Sequence, residues 1–273
     1  MDKCIVITGV TSGIGKEILN QFKDEDFLIF AGYRNINKLE KALPDNVKPF
    51  FIDMKDRVSI NSAIEYIKSN TQKIDVLINV AGIVAAGPVE YINTDRLREQ
   101  FDVNVFSHIE FAQGLIPILS CGRIINISSM SSFGHFPFIS PYCASKRALD
   151  IFFNAFAVEN HKNIEVVSVK PGVVQTPIWQ KSVESNEKQI TDCVGYENEM
   201  EFLKSNALKN TNKGLKVQNV AKFIKKIALK KKVNSSYTIG KDAKFAQILS
   251  YFPQDFVNYL VKQGLKYRIK SIK

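Results

Sequence analysis

The fold is decided by the stretch Thr8-Gly9-Val10-Thr11-Ser12-Gly13-Ile14-Gly15. Before it, Cys4-Ile5-Val6-Ile7 is a short apolar run rich in β-branched residues, which predicts a buried strand. After it, apolar residues recur at helical spacing at Ile14, Ile18, Leu19 and Phe22. The glycines are therefore expected on a strand-to-helix turn, where the backbone can approach a pyrophosphate. A plain surface turn is the alternative, because glycine permits backbone angles that other residues avoid.

Length and composition predict one α/β domain over residues 1–273. The chain is 45% apolar, which suffices for one sizeable core. No apolar run is long enough for a transmembrane helix, and the acidic segment 24–26 interrupts any signal-peptide core. Four scattered cysteines without a C-x-x-C pair predict a reducing, cytoplasmic setting. Three widely separated histidines predict no metal site.

Positive charge is concentrated at the C-terminal end. Residues 1–200 carry 20 Lys/Arg and 24 Asp/Glu, whereas residues 201–273 carry 17 and 3, a balance of +14. Such a block is typical of a solvated surface, or of a surface that meets an anionic partner such as a membrane. No nucleic acid is expected, because the aromatic and basic interleaving of the known binding modules is missing.

Strand patterns and helical patterns alternate along the chain. Apolar runs that predict strands recur at 27–31, 47–52, 76–80, 123–127, 164–169 and 237–239. Helical periodicity lies between them, at 60–67, 97–109, 148–156 and 217–229. This alternation predicts a doubly wound, Rossmann-type domain with a parallel sheet and helices on both faces.

The end of the second strand bears on cofactor choice. Gly32-Tyr33-Arg34 contains no acid that would bond a free ribose 2′-hydroxyl, whereas Arg34 would pair with a 2′-phosphate. Tyr33 or Arg34 could also stack on adenine. NADP(H) is therefore expected in preference to NAD(H), with an ordinary surface arginine as the alternative.

Tyr142 and Lys146 are the most reactive pair of residues in the sequence. They are four apart and share one face of a helix. A free phenol has a pKa near 10, and a nearby cation would lower that pKa and favour acid–base chemistry. An i,i+4 surface pair is the alternative. Ser129 lies 13 residues before Tyr142 at the end of a strand. The adjacent Ser128 is the alternative candidate for a serine of the site. Asn104 lies mid-helix, where its amide needs partners if it is buried.

Together these motifs resemble the short-chain dehydrogenase/reductase family over about residues 3–180, because T-G-x-x-x-G-x-G is joined by Asn104, Ser129, Tyr142 and Lys146. The resemblance implies that Tyr142 is the acid–base group and that Lys146 tunes it and holds the nicotinamide ribose. Ser129 would bind the substrate oxygen, and Asn104 would distort its helix and hold a water. Tyr-Cys-Ala-Ser-Lys with Arg34 is similar to the branch that includes hydroxysteroid and retinol dehydrogenases.

The same resemblance implies a set of cofactor contacts. Asp53 would bond the adenine amino group, with a helix N-cap or a turn as its alternatives. The motif Asn79-Val80-Ala81-Gly82 lacks the second asparagine of the family pattern. The backbone of Val174 and the hydroxyl of Thr176 would contact the carboxamide. The full set is Thr8, Gly9, Thr11, Ser12, Gly13, Ile14, Gly15, Tyr33, Arg34, Asp53, Met54, Asn79, Ala81, Gly82, Tyr142, Lys146, Pro171, Gly172, Val174 and Thr176.

Three regions are expected: a core at about 1–178, a substrate lid at about 179–215 and a basic extension at about 241–273. Candidate pocket residues on the lid are Trp179, Val183, Ile190 and Tyr196. Pro253 should split the extension into two helical segments. They either pack over the core or the substrate mouth, or contact a membrane with the help of Lys262, Lys266, Arg268, Lys270 and Lys273.

The expected function is hydride transfer between NADP(H) and an alcohol or carbonyl substrate (EC 1.1.1.-), with a lipophilic small molecule as substrate. The alternative is an NADP(H)-binding sensor or scaffold with little turnover. A homo-oligomer is expected, because the helices that bear Asn104 and Tyr142 form the dimer faces of many relatives. The location is expected to be cytoplasmic, with peripheral membrane contact as an option.

Overall fold

A single parallel sheet of seven strands forms the centre of the protein in a computed structural model, which describes residues 3–119, 121–187 and 193–270. The strand order is β3-β2-β1-β4-β5-β6-β7, which confirms the predicted doubly wound fold. The strands are β1 Lys3–Ile7, β2 Phe27–Tyr33, β3 Val47–Phe51, β4 Val76–Asn79, β5 Arg123–Ile127, β6 Glu165–Pro171 and β7 Ser236–Ile239.

Helices connect the strands. Their bounds are α1 Gly13–Phe22, α2 Arg57–Asn70, α3 Thr94–Phe101, α4 Ser107–Leu115, α5 Ser140–Glu159, α6 Ile178–Ser185, α7 Glu197–Asn212, α8 Val217–Leu229, α9 Lys241–Leu249 and α10 Gln254–Lys270. A π-helical turn at Asp102–Phe106 joins α3 to α4 without a break. Short 3-10 turns lie at Ile36–Lys38, Ile116–Ile118 and Met130–Phe133.

Two hydrophobic clusters hold the layers together, one on each face of the sheet. On one face α1 and α8 pack on the sheet through residues such as Phe22 and Ile224, both fully buried. On the other face α2, α4 and α5 contribute Ile60, Phe111 and Leu149. Each side chain of this kind stabilises the fold by about 1.5–3 kcal/mol. Both faces are covered, which explains why the central strands are apolar without alternation.

The strand order reverses between β1 and β4, and this leaves a crevice at their carboxyl ends. The glycine-rich turn after β1 stays bonded to both neighbouring strands. The Thr8 amide donates to the Ile78 carbonyl at 3.1 Å, and the Val10 amide donates to the Gly32 carbonyl at 3.0 Å. The turn is therefore held at the mouth of the crevice, where the sequence placed it.

The polar stretch after residue 178 differs from expectation, because it forms α6 and α7 although its periodicity is weak. A small separate cluster around Cys193 and Met200 stabilises this region, and Tyr196 packs on it. Ile190 lies outside the described residues. The break at Pro253 is confirmed, since α9 ends at Leu249 and α10 begins at Gln254. Among the described helices, none combines the length and apolarity needed to cross a bilayer.

Candidate active site

The glycine-rich turn is built by close backbone approach. A Cβ atom on Gly15 would lie 2.3 Å from the carbonyl oxygen of Gly9, so a larger residue would push α1 away from the turn. Gly9 has a φ of +72°, which L side chains rarely adopt. At the start of α1, Ser12 makes no side-chain cap and the first turn carries no acid. The uncapped amides and the helix dipole therefore fit an anionic group such as a pyrophosphate.

A cleft of about 1050 Å³ runs along the carboxyl ends of the strands, from Arg34 to Tyr142. Most residues predicted to contact the cofactor line this cleft. They are Gly9, Thr11, Ser12, Gly13, Ile14, Arg34, Asp53, Met54, Ala81, Gly82, Tyr142, Lys146, Pro171, Gly172, Val174 and Thr176. One continuous space therefore connects the glycine-rich turn, the end of the cleft that Arg34 lines, and the pair Tyr142 and Lys146. Such an extended cleft suits a dinucleotide.

Four predicted contact residues lie behind the cleft instead. The buried Thr8 hydroxyl accepts from the amides of Val80 (2.9 Å) and Ala81 (3.3 Å), so it supports the next turn from below. Asn79 is buried and donates to the Asn126 side chain on β5 at 2.8 Å. Gly15 underlies Gly9. These residues shape the backbone of the site without lining it.

Tyr33 is the fourth, and the structure does not bring it to the cleft. Its ring packs edge-on against Phe51, with 6.1 Å between centroids, on the side of the sheet that faces α1 and α8. Successive side chains of a strand point to opposite faces, so Gly32 and Arg34 line the cleft while Tyr33 turns away. The expected stacking of Tyr33 on adenine is therefore corrected.

Asp53 faces the cleft from the end of β3. Its carboxylate accepts the Lys55 amide at 3.0 Å, which is a turn-type bond, whereas Asp56 caps α2. The helix-cap alternative for Asp53 is thus excluded and the turn alternative is observed. One carboxylate oxygen remains available to a ligand.

Tyr142 and Ser129 lie together at the other end of the cleft. Burial raises the pKa of Tyr142 to about 12, a rise that the Ser129 hydroxyl reduces. The Ser129 hydroxyl also accepts the Ser131 amide at 3.1 Å, which fixes its position at the end of β5. The pKa of Tyr142 therefore lies above that of a free phenol and not below it as expected, because desolvation by burial is the largest effect. Tyr142 is therefore protonated at neutral pH, which is the form that donates a proton.

Lys146 lies beside Tyr142, as the i,i+4 spacing predicts. Its ammonium is 5.9 Å from the centroid of the Tyr142 ring and donates to the Ile127 carbonyl at 2.8 Å. Burial lowers the pKa of Lys146 to about 8, and the nearby Asp150 carboxylate opposes this change. Asp150 is itself buried and forms an ion pair with Lys170 at 3.0 Å. The cation at position 146 is therefore held in place within a buried charge cluster.

Asn104 lies fully buried in the π-helical turn, and this distortion of the helix agrees with what the resemblance implies. The side-chain amide of Asn104 bonds both the amide and the carbonyl of Ile83. The Asn104 oxygen accepts the Ile83 amide at 2.9 Å, and its nitrogen donates to the Ile83 carbonyl at 3.0 Å and to Ser145 at 3.1 Å. Gly82 stands between Asn104 and the cleft, since a Cβ there would lie 3.3 Å from the Asn104 oxygen.

Three supporting residues escaped the sequence analysis. Gln100, one turn before Asn104, donates to the Ile83 carbonyl at 2.7 Å and accepts the Ala85 amide. Its spacing from Asn104 is a signal that could have been used. Asn186 donates to the Val84 carbonyl at 2.9 Å and so ties the end of α6 to the same loop. Asp242 on α9 accepts the Val173 amide at 2.7 Å and occupies the space that a Cβ on Gly172 would need.

Candidate pocket residues are spread over two places. Trp179 lines the cleft and donates to the Val174 carbonyl at 3.2 Å. Val183 is partly buried on α6 without lining the cleft. Tyr196 packs edge-on against Phe138 in the separate cluster. Ser128 lines the cleft with a buried hydroxyl that has no protein partner. Within the described ranges no His, Cys, Asp and Glu group is arranged to hold a metal ion.

Comparison with known proteins agrees with this geometry. The model of the short chain dehydrogenase family matches residues 3–187. The chain is 32% identical to the NADPH-dependent 3-dehydrocapnine reductase of Ornithobacterium rhinotracheale over 65% of this chain and 67% of the relative. It is 26% identical to the 3-ketodihydrosphingosine reductase of Bacteroides thetaiotaomicron over 94% and 96%. Among solved structures, a short-chain dehydrogenase from Streptomyces avermitilis superposes with a TM-score of 0.76 at 22% identity, over 98% of this chain and 97% of that one.

His108 gives a testable consequence of burial beneath the site. It donates from Nε2 to the Ala81 carbonyl at 2.8 Å, and burial together with Lys146 lowers its pKa to about 4. Since the unfolded chain binds the proton more readily, stability falls as pH decreases below about 6.5. From pH 7 to pH 5, wild type should lose about 2 kcal/mol more stability than His108→Gln, measured by urea unfolding. Equal losses in both proteins would contradict the buried neutral histidine.

Proposed function

The chain belongs to the short-chain dehydrogenase/reductase family, and from this we propose that it reduces the carbonyl group of a lipophilic substrate with NADPH, and catalyses the reverse oxidation. The observation that carries the proposal is the juxtaposition of Tyr142, Ser129 and Lys146 in one cleft with the glycine-rich turn. The buried phenol is protonated at neutral pH, so Tyr142 can supply the proton that carbonyl reduction needs.

Preference for NADP(H) rests on charge at the far end of the cleft. Arg34 and Lys38 line this end, and no acid follows β2 there. Within the described ranges neither side chain forms an ion pair with a carboxylate. Unpaired cations of this kind suit a 2′-phosphate. The relative from Ornithobacterium rhinotracheale is NADPH-dependent by name, which supports the same choice.

The catalytic roles follow from the contacts of each side chain. When bound, NADPH supplies the hydride. The Tyr142 hydroxyl donates the proton that the substrate oxygen needs, and Ser129 holds that oxygen beside it. The buried Lys146 ammonium offers hydrogen bonds to the ribose and stabilises the phenolate left after proton transfer. Asn104 keeps Ile83 and Gly82 in position behind the reacting groups.

Apolar side chains on the cleft support a lipophilic substrate. Ile83, Val84, Ile178 and Trp179 are among the residues that line it. Such walls favour apolar chains over charged metabolites. The relative from Bacteroides thetaiotaomicron is named for a keto compound, 3-ketodihydrosphingosine, which agrees with a carbonyl as the reacting group.

Tyr142→Phe separates catalysis from cofactor binding. We expect wild type to oxidise NADPH in the presence of apolar ketones or aldehydes, with a higher kcat/KM than with NADH. The phenylalanine variant should lose at least about a thousandfold in kcat, because it has no proton to give, while its affinity for NADPH stays within twofold. Stopped-flow rates and fluorescence titration measure the two quantities. A variant with wild-type turnover would refute the role of Tyr142, and a wild type that binds NADPH without turnover on a graded carbonyl panel would favour the sensor or scaffold alternative.

We further propose a homodimer formed through α5 and the adjoining π-helical turn. Phe106, Ile151 and Phe152 are each at least half exposed on these neighbouring elements, which is unusual for large apolar side chains.

Phe152→Glu should shift the dimer to a monomer, because the charge would be buried at the interface. Light scattering after size exclusion measures the mass. Val58→Glu is the control, since Val58 is an even more exposed apolar residue on α2 and its replacement should leave the dimer intact. A monomeric wild type would contradict the dimer.

A cytoplasmic location with peripheral membrane contact is the last part of the proposal. Cys4, Cys121 and Cys143 are free thiols, as suits a reducing compartment. On α10, Val257, Val261 and Leu265 are partly buried, whereas the other side exposes Phe256, Tyr259, Leu260 and Tyr267. Lys262 and Lys266 flank that exposed stripe. Aromatic residues beside lysines are typical of helices that lie on an anionic bilayer.

Vesicle flotation tests this contact. Wild type should float with vesicles that contain phosphatidylglycerol and not with pure phosphatidylcholine, and 1 M salt should weaken the interaction, since charge screening shortens to about 3 Å. Phe256→Ser combined with Leu260→Ser should abolish flotation, whereas Val58→Ser should not. Absence of wild-type flotation with either lipid would eliminate the membrane contact and leave packing over the core or the substrate mouth.

A further inference from the structure

Lys181 on α6 reaches across the cleft to the glycine-rich turn. Its ammonium donates to the Ser12 hydroxyl at 3.1 Å. Ser12 is the N-cap residue of α1, but its side chain bonds no amide of that helix. The hydroxyl is therefore free to face the cleft, and a lysine of the lid region is its partner. Local sequence patterns do not predict this contact, because 169 positions separate the two residues.

Three cations meet at this point. Partial burial of the ammonium lowers the pKa of Lys181, and so do the charges of Lys38 and Arg34, while Glu184 opposes them. Within the described ranges, no ion pair joins any of the three cations to a carboxylate. By contrast, Lys55 and Arg96, further along the same cleft, are both paired with Glu99. The repulsion among the three is relieved by an anion placed between them.

The helix that carries Lys181 is tied at both ends. A Cβ on Gly13 would lie 3.3 Å from the Thr176 side chain, so the residues that lead into α6 already touch the glycine-rich turn. After α6, Asn186 accepts the Ala86 amide at 3.1 Å and donates to the Val84 carbonyl. The position of Lys181 is therefore set by a helix that is held at both ends. A ligand that binds its ammonium would fix α6 beside the apolar walls of the substrate region.

We infer that Lys181 is a third cation of the 2′-phosphate site, and that it links the phosphate to the position of the lid helix. The inference rests on the proposed NADP(H)-dependent function and deepens it. A phosphate monoester carries close to two negative charges at neutral pH, which is more than one guanidinium neutralises. Arg34 and Lys38 come from the cofactor domain, whereas Lys181 comes from the substrate side. Binding of NADP(H), but not of NAD(H), then stabilises the wall of the substrate pocket.

The test uses ligands without nicotinamide, so it does not depend on turnover. Isothermal titration with 2′,5′-ADP and with 5′-AMP isolates the 2′-phosphate, because the two ligands differ only in that group. Lys181→Met should weaken 2′,5′-ADP by about tenfold to a hundredfold and leave 5′-AMP within twofold. Lys181→Arg should restore most of the affinity, because it keeps the charge. Lys209→Met is the control, since Lys209 is exposed on α7 away from the cleft.

Hydrogen exchange of α6 tests separately whether the 2′-phosphate affects the position of the lid helix. In wild type, 2′,5′-ADP should slow exchange in the peptide that covers residues 178–186, and 5′-AMP should do so much less. Lys181→Met should remove the difference. Equal protection by the two ligands in wild type would overturn the link.

The outcomes separate this inference from the function on which it rests. Unchanged affinity of Lys181→Met for 2′,5′-ADP would overturn the role of Lys181 alone. An equal loss for both ligands would place the lysine at the 5′-phosphate and would also overturn it. A wild type that binds neither nucleotide would instead reject the proposed NADP(H) function.

Discussion

The close approach of Gly15 to the Gly9 carbonyl is the constraint on which the site depends. A Cβ at position 15 would meet that oxygen at 2.3 Å, so α1 can start directly above the end of β1 only without one. This start leaves the first amides of α1 uncapped and aimed at the crevice. It also allows Gly13 to contact Thr176, which brings the lid side of the protein to the phosphate side. One backbone contact therefore sets the distance between the two halves of the cleft.

Burial then determines the chemistry of the groups below that turn. Desolvation raises the pKa of Tyr142 and lowers the pKa values of Lys146 and His108, so each of the three shifts toward its neutral form. Asp150 opposes this trend at Lys146 and keeps a cation near the phenol. Because a raised pKa makes the phenol a weaker acid, its proton transfer depends on a nearby cation that stabilises the phenolate. A bound pyrophosphate would add negative charge and favour the lysine cation further.

Local pattern was enough to predict the sheet, the glycine-rich turn and the pair Tyr142 and Lys146, because each depends on spacing within one element. The misplacement of Tyr33 was avoidable, since strand alternation puts neighbours on opposite faces. The contacts of Asp242 and Lys181 could not be predicted from the sequence, for a different reason. Their partners, Val173 and Ser12, come from distant parts of the chain, and nothing in a local pattern says which lysine or aspartate will cross that distance.

The position of Asp242 bears on the shape of the site. Asp242 of the C-terminal extension holds the Val173 amide, and its carboxylate fills the space above Gly172. The strand end that faces the nicotinamide side of the cleft is thus shaped by α9, and α9 packs on the turn that follows Ser129. One helix of the extension therefore contacts both Val173 and the turn after Ser129, two segments that flank the reacting groups. The shape of the catalytic end of the site thus depends on a residue 69 positions further along the chain than Val173.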